Sequence, residues 1–215
     1  YTLTMAGFAG AKPYPSPSFE NWKAGIATYI KTNKIEKPIV IGHSMGGGLA
    51  LALAADYPDL IGKIVVVDAL PCLAALSNVS FKSKENNDCS PMVAQMTAMN
   101  ETQFYEMQKQ AMPRLLQDAS KLEMVVDWSV KSDRKTFAQM YCDFFNTDLR
   151  ERISTVKCPS LILLESNFIN LKPAIEEQYK NLKTANFQYA NKGLHFIMYD
   201  DKDWYLVQLN NFIKS

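Results

Sequence analysis

The sequence has few residues of the kinds that bind metal ions. Its 215 residues include only two histidines and four cysteines. The cysteines stand at positions 72, 89, 142 and 158 and show no paired C-x-x-C spacing. Zinc sites are built from close groups of cysteine and histidine ligands. We therefore expect no metal site in this protein.

An excess of charge and a long apolar run are also missing. Lysine and arginine number 23 against 22 aspartates and glutamates, so net charge gives no reason to expect nucleic acid as a partner. No apolar run reaches the length of a transmembrane segment, and no repeat or low-complexity segment occurs. With 47% apolar residues, the chain can form one globular core, or a core with a small lid.

A glycine-rich stretch separates a strand pattern from a helix pattern. Residues 37–41 are apolar and β-branched, which predicts a buried strand, and residues 47–55 are rich in alanine and leucine, which predicts a buried helix. Between them lies Gly42-His43-Ser44-Met45-Gly46. A serine between two glycines at a strand-to-helix junction is the nucleophile-elbow pattern. We expect a strained backbone at Ser44, with both glycines allowing strand and helix to approach closely.

The elbow and its flanking elements resemble the α/β-hydrolase fold family. The resemblance implies that the amide of Met45, at the helix N-terminus, forms part of an oxyanion hole. Strand and helix patterns alternate along the rest of the chain, which predicts a mostly parallel sheet with flanking helices. The expected strands are Tyr1–Met5, Lys37–Ile41, Ile64–Val67, Pro159–Leu164 and Asn186–Ala190. Helices are expected after an N-cap at Ser18, after the elbow, at 173–182 and at the C-terminus.

The family pattern also implies a division of the chain. Residues 1–71 and 156–215 are expected to form the α/β-hydrolase core, and residues 72–155 a helical lid insertion. The insertion is rich in methionine and aromatic residues, which suit an adaptable apolar pocket over Ser44. The same residues suit ordinary helix packing, and the sequence leaves that alternative open. They are Met92, Met96, Met99, Phe104, Met107, Met112, Met124, Trp128, Phe137, Met140 and Phe144.

A serine hydroxyl needs a base to become a nucleophile, and only two histidines are available. His43 directly precedes Ser44, so its side chain is directed away from that of Ser44, and we expect a structural role for it. His195 lies between the last predicted strand and the last helix, where the resemblance places the catalytic base. The chain order of Ser44, an acid and His195 matches the order of this family.

The acid of the triad is the least certain assignment. Many relatives carry it just after the strand at 161–164, but Phe168 stands there in this chain. Other members place it one strand earlier, where Asp68 ends the strand, and we expect Asp68 to be the acid. Glu165 is the alternative, while Asp68 could instead cap the turn that follows it. Asp200 and Asp201 lie near His195 in the sequence and are a further alternative, but both suit the acidic first turn of the closing helix.

The resemblance implies a serine hydrolase of the carboxylesterase type, which cleaves a small apolar acyl ester without a metal or cofactor. Lactone, amide or carbon–carbon bond hydrolysis would use the same triad, and a non-catalytic binding module on this fold is the alternative from another class. The oligomeric state stays open. Substrate choice depends on pocket shape, which the sequence does not reveal.

The family pattern has several strands before the position of Tyr1, including the loop that supplies a second oxyanion amide. We therefore expect the chain to be N-terminally incomplete. The localisation stays open, including export to a periplasm, since any signal peptide would lie before Tyr1. If the protein is exported, Cys72 and Cys89 are candidates for a disulfide, and free thiols are the alternative.

Overall fold

Four parallel strands form the centre of the computed structural model, which describes residues 1–215. They lie side by side in sequence order, and each neighbouring pair is parallel, so their carboxyl ends meet at one edge of the sheet. This edge is called the C-terminal edge below. The strands are β1 (Ile39–His43), β2 (Lys63–Val67), β3 (Ser160–Leu164) and β4 (Ala185–Tyr189). The α/β class and the parallel sheet expected from the sequence are confirmed.

Nine α-helices accompany the sheet. They are α1 (Phe19–Thr32), α2 (Met45–Asp56), α3 (Ser90–Ala98), α4 (Glu101–Ala111), α5 (Leu122–Val130), α6 (Arg134–Phe145), α7 (Lys172–Gln178), α8 (Ile197–Asp200) and α9 (Lys202–Lys214). Short 3₁₀ helices lie at Leu73–Leu76, Met112–Arg114, Ala119–Lys121, Arg152–Thr155 and Ser166–Leu171. Helices α3 to α6 all fall between β2 and β3. Residues 73–155 are called the helical segment below.

The sheet is covered on both faces. In β2 and β3, alternate side chains point to opposite faces, and nearly all of them are buried. One face, with Ile64 and Ile162, packs against α1, α2 and α7. The other face, with Val65 and Leu161, packs against α8 and α9. The result is a three-layer core that fixes the strand ends at the C-terminal edge.

Local sequence signals explain the first helix well. The Ser18 hydroxyl accepts a hydrogen bond from the backbone N–H of Asn21, as expected for an N-cap. Helix α1 then buries Phe19, Trp22 and Ile30 on the face that contacts α2. The strand expected at residues 1–5 is wrong: these residues have no regular secondary structure and are mostly exposed. Apolar residues form a strand only where another strand pairs with them, and none does here.

The helical segment has a small core of its own. Met112, Leu116, Val125 and Val126 are buried together there. Of the methionine and aromatic residues that the sequence singles out, four are buried as packing residues and one is largely exposed. The buried ones are Phe104, Met112, Met140 and Phe144, and the exposed one is Trp128.

The cysteines pair differently from the expectation. Cys89, at the start of α3, forms a disulfide with Cys142 in α6. The pairing of Cys72 with Cys89 is therefore wrong. Cys72 and Cys158 are free and buried, and Cys72 has no partner in Cys89 because Cys89 is already bound to Cys142. The two bridged cysteines lie 53 residues apart in the sequence.

None of the helices combines the length and the apolar character that crossing a membrane would require.

Candidate active site

Ser44 lies at a strained turn between β1 and α2. Its backbone angles are φ 55° and ψ −124°, a conformation that non-glycine residues rarely adopt. Its N–H donates to the carbonyl of Val67 on the neighbouring strand at 2.9 Å. Its carbonyl accepts from the N–H groups of Gly47 at 2.8 Å and Gly48 at 3.1 Å. These bonds hold the turn at the C-terminal edge in the sharp geometry that the motif predicts.

The glycines around Ser44 differ in what they allow. A Cβ on Gly42 would lie 2.0 Å from the carbonyl oxygen of Gly46, so the close approach of strand and helix requires glycine there. A Cβ on Gly46 would meet nothing within 4 Å, so the expected packing role of that glycine is wrong. The next two residues of α2 do require glycine for close packing. A Cβ on Gly47 would lie 2.7 Å from the Cβ of Ala69, and one on Gly48 would lie 2.5 Å from the ring of Phe144.

Met45 is the first residue of α2. The first amides of a helix have no acceptor within it and carry the positive end of the helix dipole. The Met45 amide directly follows Ser44, so it is available to an oxygen bound beside the serine.

Asp68 and His195 are brought together across 127 residues of sequence. Nδ1 of His195 lies 2.6 Å from Oδ2 of Asp68. The other carboxylate oxygen of Asp68 accepts the backbone N–H of Glu165 at 2.8 Å. The Asp68 side chain is only 2% exposed, and its backbone has a positive φ of 48° at the end of β2. A carboxylate fixed by an amide on one oxygen can fix an imidazole on the other.

His43 contacts the backbone of His195 and not the hydroxyl of Ser44. Its Nε2 lies 2.9 Å from the carbonyl oxygen of His195, and the two rings are 4.4 Å apart between centroids. Burial, with a further contribution from His195, lowers the pKa of His43 to about 3. The ring is therefore neutral near pH 7, and its Nε2–H donates to that carbonyl. This contact supports the structural role expected for His43.

Glu165 has a different environment from Asp68, although both follow adjacent strands. Burial, and then the charge of Asp68, raises the pKa of Glu165 to about 7. Its backbone N–H donates to Asp68, while its side chain forms no hydrogen bond with His195. The structure thus brings Asp68, and not Glu165, into contact with the imidazole.

The Ser44 hydroxyl forms no hydrogen bond with His195 or with any other residue. Catalytic contacts are often long in a free enzyme and shorten once substrate is bound.

A cavity of about 770 Å³ lies beside α7, lined by Leu76, Phe81 and Gln178 among others. None of the methionines of the helical segment lines this cavity. No group of three or more histidine, cysteine or acidic side chains is arranged to hold a metal ion.

Sequence reasoning missed two residues that shape the site. The Tyr179 hydroxyl, fully buried, donates to the carbonyl of Ala69 at 2.6 Å and so supports the turn after Asp68. Asp200 lies at the end of α8, outside the first turn of α9, and accepts the backbone N–H of Leu194 at 2.9 Å. Only the short distance in sequence between Asp200 and His195 hinted at such a role.

Comparison with known proteins finds both a long match at low identity and a short match at higher identity. The chain is 23% identical over 217 residues to the sn-1-specific diacylglycerol lipase ABHD11 of Mus musculus, a match that covers 95% of this chain and 68% of the mouse protein. A match to an abhydrolase domain-containing protein of Schizosaccharomyces pombe is 44% identical over 43 residues. It covers 20% of this chain and only 16% of the yeast protein.

A solved structure extends the likeness to the whole fold. The esterase from Thermogutta terrifontis superposes with a TM-score of 0.78 at 14% sequence identity, covering 97% of this chain and 76% of that one. At that identity the likeness concerns the fold alone. The family model described as alpha/beta hydrolase fold matches residues 2–202. That span includes the strained turn at Ser44, the whole sheet and the loop of His195, so the chain belongs to the alpha/beta hydrolase fold family.

Proposed function

We propose that this protein is a serine hydrolase that cleaves a carboxylic ester through an acyl-enzyme on Ser44. The observation that carries the proposal is the contact of 2.6 Å between His195 and the buried Asp68, at the same sheet edge as the strained turn of Ser44. A serine at such a turn, next to an imidazole that a carboxylate orients, is the arrangement that nucleophilic acyl transfer requires.

Each residue then has one role. Nε2 of His195 takes the proton of Ser44 as the hydroxyl oxygen attacks the ester carbonyl, and later gives it to the leaving alcohol. Asp68 holds the proton of the imidazole on Nδ1 and stabilises the imidazolium. Water then attacks the acyl-enzyme by the same route and releases the acid.

The negative charge that develops on the carbonyl oxygen needs donors in fixed positions. The Met45 amide, at the N-terminus of α2, is one such donor. The removal of a single donor of this kind costs about 10² to 10³ in turnover in other hydrolases. Met45 acts through its backbone, so its side chain is free to contact the substrate.

We also propose that the core of residues 1–71 and 156–215 carries the chemistry and that the helical insertion, residues 72–155, covers it as a lid. The apolar character of this segment supports a small apolar acyl substrate, and the names of the relatives, a diacylglycerol lipase and an esterase, agree with an ester. Lactone, amide and carbon–carbon bonds remain alternatives for the same residues.

The test is covalent labelling with a fluorophosphonate probe together with turnover of p-nitrophenyl esters. We expect one phosphonyl adduct, found on Ser44 by peptide mass spectrometry, and ester turnover that Ser44→Ala reduces to background. Ser16→Ala is the matched control, because the side chain of Ser16 is exposed and forms no hydrogen bond. It should label and turn over like the original protein.

A protein that takes no adduct on Ser44 and binds apolar ligands equally well after Ser44→Ala would be a non-catalytic binding module on this fold. The Ser44 hydroxyl, which forms no hydrogen bond here, is the observation in favour of that second function. Turnover of activated esters that disappears with Ser44→Ala would exclude it.

A further inference from the structure

The loop that carries His195, residues 193–196, is bound to the helical segment through its backbone. We call it the base loop. The N–H of Leu194 donates to Oδ2 of Asp200 at 2.9 Å. The N–H of Phe196 donates to the carbonyl of Leu115, in the helical segment, at 3.0 Å. The two residues on either side of His195 are therefore fixed by partners that lie outside the sheet.

Asp200 also binds the helical segment directly. The N–H of Gln117 lies 3.0 Å from Oδ1 and 3.1 Å from Oδ2 of Asp200, and the N–H of Asp118 lies 2.9 Å from Oδ1. The Asp200 carboxylate thus accepts three backbone amides from two parts of the chain. Gln117 and Asp118 lie 83 and 82 residues before Asp200 in the sequence, and Leu194 lies six residues before it. It forms no ion pair with any lysine, arginine or histidine. Hydrogen bonds to an ionised oxygen are about twice as strong as neutral ones.

The close approach of Asp200 to the base loop depends on a glycine. A Cβ on Gly193 would lie 2.6 Å from the Cβ of Asp200, and Gly193 has a φ of 92°, which favours glycine. Any side chain there would separate the two. The glycine at position 193 therefore allows Asp200 to approach the base loop closely enough to bind it.

Apolar contacts join the same two parts. Phe196 and Tyr199 pack against the small core of the helical segment, which includes Leu116. Leu116 is 4% exposed and lies between Leu115 and Gln117, whose backbone groups hold the base loop and Asp200. A shift of residues 115–118 would therefore change the contacts of Phe196 and of Asp200, which binds Leu194.

We infer that Asp200 is a positioning residue that fastens the base loop to residues 115–118, so that the placement of His195 depends on the position of the helical segment. This inference rests on the proposed function, in which His195 is the base. Asp200 acts through His195 and does not touch the reacting atoms. A movement of the helical segment away from the sheet would break the bond from Phe196 to Leu115 and would remove the amides of Gln117 and Asp118 from Asp200.

The first test compares Asp200→Asn with Asp203→Asn. Asparagine keeps the shape of Asp200 but turns an NH₂ group towards amides that need an acceptor, whereas Asp203 is exposed and forms no hydrogen bond. We expect Asp200→Asn to lower kcat for a p-nitrophenyl ester on the order of 10²-fold through misplacement of the base, with KM within about threefold. Asp203→Asn should match the original protein in both constants.

Nuclear magnetic resonance supplies a readout that needs no turnover. The proton on Nδ1 of His195, shared with Asp68, should give a downfield signal that Asp200→Asn shifts or removes. The backbone amides of Gln117, Asp118 and Leu194 should together exchange faster with solvent. A folded Asp200→Asn variant with kcat within about threefold of the original and an unshifted His195 signal would overturn the inference.

Leu116→Ala tests the dependence of His195 on the helical segment by a change within that segment. It is the sole test if Asp200→Asn does not fold. Leu116 is a core residue of the helical segment, so a purely structural role predicts lower thermal stability with unchanged kcat and an unchanged His195 signal. We expect both to change, and no change in either would overturn the inference. If Ser44→Ala keeps full turnover, the proposed function fails whatever Asp200 does. If Ser44→Ala is inactive and both test variants behave like the original protein, only this inference fails.

Discussion

The C-terminal edge of the sheet and the helical segment, residues 73–155, are built in different ways. Helix α2, beside the sheet, buries nine residues in succession, from Gly47 to Ala55, and β2 and β3 are almost wholly buried. In the helical segment, α3 buries no residue and α5 buries only two. Twenty-six buried residues form the core on one face of the sheet, whereas the core that belongs to the helical segment has only four.

The two regions also differ in their relation to the candidate site. Ser44, Asp68 and His195 all come from strand ends or from loops beside them, where packing allows little movement. The helical segment adds no side chain to this group. It reaches the loop of His195 through the bond from Phe196 to Leu115, through Asp200 and through apolar contacts of Phe196. Regions with few buried contacts open locally at a lower cost in free energy than the core. We therefore expect the helical segment to open locally before the sheet does.

The largest effect should come from a change that leaves both regions folded and alters the chemistry at the sheet edge. Asp68→Asn keeps the shape of the acid but no longer fixes the tautomer of His195, so we expect turnover to fall by about 10⁴-fold. Glu165→Gln, at the end of the next strand, should cost less than about tenfold. Steady-state kinetics on one ester checks both. Near-normal turnover in Asp68→Asn, or a large loss in Glu165→Gln, would move the role of acid to Glu165.

The next effect is on the fold of the sheet region itself. Gly42→Ala would place a Cβ 2.0 Å from the carbonyl of Gly46, against backbone that cannot yield, so we expect a loss of more than about 4 kcal/mol or a failure to fold. Gly46→Ala meets open space and should change stability by less than about 1 kcal/mol. Urea unfolding measures the pair. Equal tolerance of the two changes would contradict the close contact of β1 with α2.

A matched pair of leucines compares the packing of the two regions directly. Leu53 in α2 is 0% exposed, so Leu53→Ala should leave a cavity and cost about 2–5 kcal/mol of unfolding free energy. Leu122 in α5 is half-buried at the border of the small core, and Leu122→Ala should cost about 1 kcal/mol. Chemical denaturation of both variants gives the difference. Similar losses would mean that the helical segment is as tightly built as the sheet.

Most of the sheet could be predicted from the sequence, because each strand and the Ser18 cap are local signals. The strand expected at residues 1–5 could not, since a strand needs a partner that local pattern does not reveal. The cysteine pairing could not be predicted because it depends on where α3 and α6 lie in the fold. The role of Asp200 could not be predicted because it depends on amides more than 80 residues away in the sequence. The proximity of Asp68 to His195 was predicted, because parallel strand ends share one edge. The catalytic roles of Ser44, Asp68 and His195 stay predictions.

Removal of the disulfide should affect the helical segment more than the sheet. Cys89 and Cys142 lie 53 residues apart and join α3 to α6, so the double change to serine should cost about 2–4 kcal/mol, chiefly through a looser unfolded chain. Thermal unfolding with and without a reducing agent checks this. The double variant is the control, because it should no longer respond to the reducing agent. Equal stability of the original protein in both conditions would argue against the bridge.

The smallest expected effect is a dependence of stability on pH that comes from the sheet edge alone. In the folded protein the pKa of Glu165 is raised from its ordinary value of 4.5 to about 7, by burial first and by the charge of Asp68 next, with His195 opposing the shift and Asp200 adding to it. Between these two values the folded state binds more protons than the unfolded chain, so stability is full below about pH 4.5 and falls as pH rises through about 7. Glu165 is half-buried, so after solvent screening the loss is on the order of 1 kcal/mol. Urea unfolding at a series of pH values should show this slope, and Glu165→Gln should flatten it. A slope that Glu165→Gln leaves unchanged would assign the titration to another group and would remove the contrast between Glu165 and Asp68.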